Sequence, residues 1–106
     1  MTSSGRFELH PDAARDITEI WAYIAQDNLA AAARVREELV VAMRGLASFP
    51  LTGQRRLDLT TRPIRFKRVR DYLIAYTPDR RPVWVIAVLH GRRNPKVMAA
   101  ILRGRE

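Results

Sequence analysis

The side chains best suited to chemistry are a group of basic residues and one histidine in the second half of the chain. In chain order they are Arg65, Lys67, Arg68, Arg70, His90, Arg92 and Arg93. Guanidinium groups make bidentate contacts with phosphate or carboxylate, and histidine titrates near neutral pH, so it can transfer protons. The group could therefore bind an anion and, at His90, assist acid–base chemistry.

Each histidine also has a structural interpretation. His90 ends an apolar run and precedes Gly91, so it could simply shape a corner through a hydrogen bond to the backbone. We favour this interpretation over catalysis. His10 stands where a helix N-cap is expected, and there too a structural role is favoured.

The basic strand pattern is equally open to two interpretations. Arg65 and Lys67 share one side of a predicted strand, opposite Ile64 and Phe66, and a solvated outer face would look the same. Two observations favour function: the arginines after His90 arrive from the adjoining end of the sheet, and few acids interrupt the group.

The formal net charge of +8 is unevenly distributed. Residues 1–38 contain four arginines and seven acids, whereas residues 39–106 contain fifteen basic residues and four acids. A bias of the coding sequence towards arginine would raise the total but would not explain the asymmetry. The second half should therefore attract an anionic partner, for which nucleic acid, an acidic protein and an anionic membrane all qualify.

Composition excludes several classes. The 106 residues suit one domain, spanning 1–106. The chain has no cysteine and two distant histidines, so we expect neither a disulfide framework nor a metal site. Residues 1–5 lack an apolar stretch, and no apolar run reaches the roughly 20 residues of a membrane span. We therefore expect a soluble, cytoplasmic protein.

The chain order predicts β-α-α-β-β-β-α. Pro11 and Asn28 mark helix starts, and period-two or β-branched runs mark strands. The predicted elements are a strand at 6–9, a helix at 11–24, a helix at 29–48, a polar loop at 54–62, strands at 64–69, 72–77 and 83–89, and a short amphipathic helix after Asn94. We expect an α+β fold in which an antiparallel helical hairpin covers one face of a small antiparallel sheet.

The large aromatic residues are predicted to be mostly structural. Tyr72 and Tyr76 face the same side of one strand together with Ile74, which favours core over base stacking. Trp21 and Trp84 are assigned to core or helix packing.

Five segments together resemble the RelE/ParE toxin superfamily over roughly residues 6–95. They are "LHPDAARDITEIWAYIAQDN", "NLAAAARV", "LASFPLTGQ", "DYLIAY" and "VIAVLHGRRNP". Each segment alone is weak, but five in this order and spacing are specific. The chain is thus similar to toxins of type II toxin–antitoxin systems.

The resemblance implies a growth-inhibiting toxin that is silenced by a cognate antitoxin, typically acidic at its toxin-binding end, in a hetero-oligomeric complex. The seven residues named above, apart from His90, would contact the target or the antitoxin. ParE-like members poison DNA gyrase without being hydrolases. RelE-like members enter the ribosomal A site and cleave mRNA, often with a tyrosine or histidine near the C-terminus. Neither mechanism implies a cofactor.

We favour the ParE-like interpretation. The chain has no tyrosine after residue 90, which removes a usual participant in mRNA cleavage, and its "LASFPLTG" and "VLHGRRNP" segments support the same choice. In the alternative, a ribosome-dependent mRNA endonuclease, the catalytic residues would be His90, Arg65, Lys67 and Arg92. A third possibility is a degenerate member that binds only its antitoxin.

Overall fold

The computed structural model describes residues 6–105. Residues 1–5, where the sequence predicts no signal peptide, and residue 106 lie outside the described part. The elements are β1 (Phe7–Leu9), α1 (Pro11–Ala25), α2 (Leu29–Ser48), β2 (Gln54–Arg55), β3 (Arg65–Val69), β4 (Tyr72–Thr77), β5 (Val83–His90) and α3 (Pro95–Arg103). The predicted α+β class and the order of the main elements are confirmed.

The sheet has five strands in the order β1-β5-β4-β3-β2. The pairs β2–β3, β3–β4 and β4–β5 are antiparallel, but β1 pairs in parallel with β5. The prediction of a purely antiparallel sheet is therefore wrong at β1. The whole helical hairpin and three strands separate β1 from β5, so no tight turn dictates an antiparallel pair. The short strand β2 lies within the segment that was predicted to be a polar loop. It was not predicted, because two residues are too few for a period-two pattern.

Side-chain caps fix the starts of the helices. The backbone N–H of Asp12 donates to His10 Nδ1 at 3.0 Å, which is the structural role expected of His10. The Asn28 side chain accepts from the N–H of Ala31 at 2.9 Å, so α2 follows α1 after three residues. Within residues 6–105, no helix combines the length and hydropathy needed to cross a membrane.

The hairpin packs on one face of the sheet, as predicted. Its buried apolar stripes are centred on Ile17 and Leu39 and contact strand residues that include Ile74 and Tyr76. Tyr76 is fully buried, which confirms its assignment to the core. This cluster fixes the position of α1 beside β5.

The opposite face is partly covered as well. Helix α3 and the segment before β3 contribute Met98, Leu102 and Leu59 to a second buried cluster on that face. Trp84 packs at its edge, as expected, with the guanidinium carbon of Arg80 4.4 Å from a ring centroid. Trp21 is 37% exposed, so its assignment to the core is wrong, whereas the alternative assignment to helix packing agrees with its position beside Arg36 of α2.

Candidate functional site

One end of the sheet brings together the turn between β3 and β4 and the turn after β5. Tyr72 lies opposite His90 in the β4–β5 register, and the Gly91 N–H donates to the Asp71 carbonyl at 2.6 Å. These contacts hold the two turns side by side. We call this region, formed by residues 68–72 and 90–93, the sheet end.

His90 is held between a backbone amide and an aromatic ring. Its Nδ1 accepts a hydrogen bond from the Arg92 N–H at 3.2 Å, and the Tyr72 ring meets it edge-on with centroids 5.4 Å apart. An accepting Nδ1 is unprotonated, so Nε2 is the ring nitrogen that carries the proton or faces a ligand. This geometry is the one required to shape the corner before Gly91.

Arg68 and Arg70 follow each other at the β3–β4 turn but have different surroundings. The Arg68 guanidinium lies beside Gly91, where a Cβ would meet it at 3.4 Å. Arg70 has a left-handed φ of 54° and donates to both oxygens of Glu38 on α2, at 2.6 and 2.8 Å. These hydrogen bonds from Arg70 lower the pKa of the Glu38 carboxyl below its ordinary value. Arg70 therefore ties the sheet end to the hairpin.

Beneath the sheet end lies a cavity of about 350 Å³. Its lining residues are Asp16, Glu19, Ile20, Tyr23, Tyr72, Val88, Leu89, His90, Arg93, Ile101 and Arg105. Burial, followed by the charge of Asp71, raises the pKa of the Tyr72 hydroxyl. That hydroxyl is therefore protonated at neutral pH and could donate a hydrogen bond to a ligand.

Arg65 does not join this group. It lies at the opposite end of β3 from Val69, four residues or roughly 13 Å away along the strand. Its Nη1 donates to the carbonyl of Gly53 at 2.8 Å and to that of Leu51 at 3.4 Å. Lys67 lies midway and is half-buried. The predicted group is thus divided: five residues reach the sheet end, and Arg65 and Lys67 do not.

Two features of the candidate site were not predicted from the sequence. Tyr23 is 75% exposed and lines the cavity; its position off the apolar stripe of α1 was the signal that could have identified it. The second is an ion pair between Asp16 and Arg105, whose atoms approach to 2.6 and 3.0 Å. Those residues are 89 positions apart, and no local pattern reports such a contact.

The Asp16–Arg105 pair takes the place of a strand beside β5. Strand β1 covers only Val83 to Val85. Beyond it, the Val88 N–H donates to Asp16 Oδ2 at 2.9 Å, and Arg105 Nη1 donates to the Ile86 carbonyl at 3.2 Å. A residue of a parallel neighbouring strand would likewise donate to the carbonyl of one β5 residue and accept from the N–H of the residue two positions further along. The pair therefore protects this edge and forms one wall of the cavity.

The sheet end can bind an anion through Arg68, Arg92 and Arg93, all three of which are exposed. Within residues 6–105, no cluster of three or more acidic or histidine side chains is arranged to hold a metal ion. A helical hairpin on one face of a small sheet is consistent with the RelE/ParE-like fold that the sequence resemblance implies.

Comparison with family models identifies the family more specifically. Residues 7–95 match the family described as the ParE toxin of the type II toxin–antitoxin system, parDE. The chain belongs to this family and is the toxin of a type II toxin–antitoxin pair. No curated protein matches the sequence significantly.

Proposed function

We propose that this toxin inhibits DNA gyrase without hydrolysing a substrate, and that an acidic cognate antitoxin neutralises it. Support comes from membership of the ParE family and from the surface arginines of the sheet end. Arg92 and Arg93 are exposed, and within residues 6–105 their guanidinium groups make no ion pair. They are available for carboxylates of a protein partner.

We favour a non-hydrolytic mechanism because Arg65 and His90 lie apart from each other. Phosphoryl transfer within RNA needs a base, an acid and cations around one phosphate. Arg65 is fixed to two backbone carbonyls some 13 Å from the sheet end, and His90 Nδ1 is engaged by the Arg92 amide. The residues that cleavage would require therefore do not converge on one point.

A second candidate function is ribosome-dependent mRNA cleavage. The observation in its favour is the cavity, which places His90, Tyr72 and Arg93 around one space. Such a site could supply one proton-transfer group and one cation, although Lys67 lies outside it.

A gyrase assay and a translation assay separate the two. Under the proposal, the wild-type toxin added to gyrase and relaxed plasmid traps cleaved DNA and blocks supercoiling. Primer extension on mRNA from a translating extract then shows no codon-positioned cuts. Positioned cuts together with unaffected gyrase would replace the proposal with the nuclease.

Variants connect these activities to the sheet end. We expect Arg92→Gln/Arg93→Gln to weaken gyrase inhibition about tenfold or more, since each guanidinium contact with a carboxylate contributes about 1 kcal/mol or more. The matched control, Arg34→Gln/Arg36→Gln, removes two exposed charges from α2 and should leave inhibition within about twofold. His90→Ala removes the hydrogen bond that Nδ1 accepts from the Arg92 amide, so under the proposal it should weaken inhibition less than Arg92→Gln/Arg93→Gln does, whereas a nuclease would lose its activity.

A further inference from the structure

The segment from the end of α2 to just beyond β2 has three exposed large apolar side chains. Phe49, Leu51 and Leu57 are 67%, 65% and 67% exposed. Single exposed apolar residues are common on protein surfaces, but here three lie within nine residues of one segment, and Leu51 lines a hollow together with Arg55. We call Phe49, Leu51, Leu57 and the neighbouring Arg55 the 49–57 surface.

The backbone of this segment is held from within. The buried Tyr76 hydroxyl donates to the Pro50 carbonyl at 2.6 Å and accepts from the Gly53 N–H at 2.9 Å. Arg65 Nη1 donates to the carbonyls of Leu51 and Gly53. An ordinary loop turns its backbone polar groups to water and its apolar side chains inward. Here the backbone groups face inward and the apolar side chains face solvent.

A rigid segment that presents apolar side chains is pre-organised for binding. Because the backbone is already fixed, the segment loses less conformational entropy when a partner binds than a flexible loop would. Gly53 permits this arrangement, since a Cβ there would lie 2.6 Å from the Tyr76 hydroxyl. The role of Arg65 is thus to position this segment.

The positive charge around the 49–57 surface favours an acidic partner. Residues 44–68 contain seven basic residues and one acid, Asp58, which is already paired with Arg56. Of the six residues that line a hollow of about 180 Å³ beside Leu51, two are basic and one, Asp79, is acidic. A second copy of this chain would bring the same positive charge, whereas an acidic partner is attracted.

We infer that the 49–57 surface docks the antitoxin, through a segment of the antitoxin that combines apolar side chains with carboxylates. This inference rests on the antitoxin half of the proposed function and assigns a surface to it. Phe49 and Leu51 supply the apolar anchors, and Arg55 supplies a contact for a carboxylate. The surface is separate from the sheet end, where gyrase binding is proposed.

The test uses the full-length toxin and its full-length cognate antitoxin, sought as a short acidic protein encoded beside the toxin gene, with affinity measured by calorimetry. Phe49→Ser/Leu51→Ser should weaken binding about 100-fold, as expected when two interface anchors are removed. Leu29→Ser is the matched control, since Leu29 is 64% exposed on α2, and it should bind like wild type. As a second variant, Tyr76→Phe releases the segment without changing its surface and should weaken binding about tenfold.

Some results of this test would overturn the inference, and others would assign the 49–57 surface to a different partner. Wild-type affinity in the double variant, or an equal loss in Leu29→Ser, overturns the inference while leaving neutralisation intact. No binding by wild-type toxin overturns neutralisation as well. Retained antitoxin affinity with lost gyrase inhibition would assign the surface to the target. A wild-type dimer in sedimentation that the double variant abolishes would assign it to a second copy.

Discussion

Replacing Arg105 by leucine tests the ion pair that protects the edge of β5. Arg105 donates to both oxygens of Asp16 and to the Ile86 carbonyl, and the side chains of Arg105 and Asp16 are each 13% exposed. A hydrogen bond to a charged group contributes about 1.5–3 kcal/mol, and breaking a fully buried pair costs about 3–5 kcal/mol. The remaining exposure and the surviving Val88 N–H contact to Asp16 reduce that loss. We therefore expect the free energy of unfolding to fall by about 2–3 kcal/mol.

The measurement is urea and thermal unfolding of the purified toxin followed by circular dichroism. At about 4–8 °C per kcal/mol for a domain of this size, the Tm should fall by roughly 15 °C. The control is Arg103→Leu, which removes an exposed charge two residues away and should change stability by less than about 0.5 kcal/mol. If the two variants unfolded alike, the ion pair would contribute nothing measurable and our account of the β5 edge would be wrong.

Two further predictions concern pH and backbone packing. The pKa of Glu38 is lowered from its ordinary value of 4.5 by Arg70, so its stabilising contribution is present above pH 4.5 and is lost as the pH falls through the folded-state value. Glu38→Gln should lower the Tm at pH 7 but not below about pH 3; a constant difference across this range would exclude the linkage. Gly53→Ala should destabilise by about 1–3 kcal/mol, because its Cβ would collide with the buried Tyr76 hydroxyl. Gly45→Ala, in open space within α2, should instead stabilise by about 0.5–1 kcal/mol in urea unfolding, and the same sign for both variants would contradict this explanation.

The helices could be predicted from sequence because their determinants are local. Asn28 accepts from an amide three residues ahead, and the stripe of α2 contains the residues that are buried. The strands β3 to β5 likewise follow from period-two and β-branched runs. The parallel pairing of β1 could not be predicted, because a short strand remote in sequence from its partner gives no signal about direction. Strand β2 could not be predicted either, because a strand of two residues is too short to show a pattern.

The candidate site was predictable only in part, for a physical reason that Arg65 illustrates. Residue type and spacing placed Arg65 with the other basic residues, but its guanidinium is fixed to carbonyls 12 and 14 positions away. Whether a charged side chain binds a partner or its own backbone depends on tertiary contacts that spacing does not encode. The arginines adjacent to His90 were placed more reliably, since a strand end and a tight turn fix their position locally.

The positive charge of the chain therefore has two distinct uses. Arg62 donates to the carbonyls of Leu102 and Arg105 at 2.9 Å, and Arg65, Arg70 and Arg105 likewise bind internal acceptors. Guanidinium groups suit this task, because one planar group can satisfy two carbonyl or carboxylate oxygens at an irregular segment. A net charge of +8 thus overstates the charge directed at a partner. Partner recognition must be argued from exposed arginines, and the two proposals use two separate sets of them: Arg92 and Arg93 at the sheet end, and Arg55 beside the apolar 49–57 surface. Two separate surfaces would allow the antitoxin and the target to be bound by different residues, so that a substitution could abolish neutralisation without abolishing toxicity.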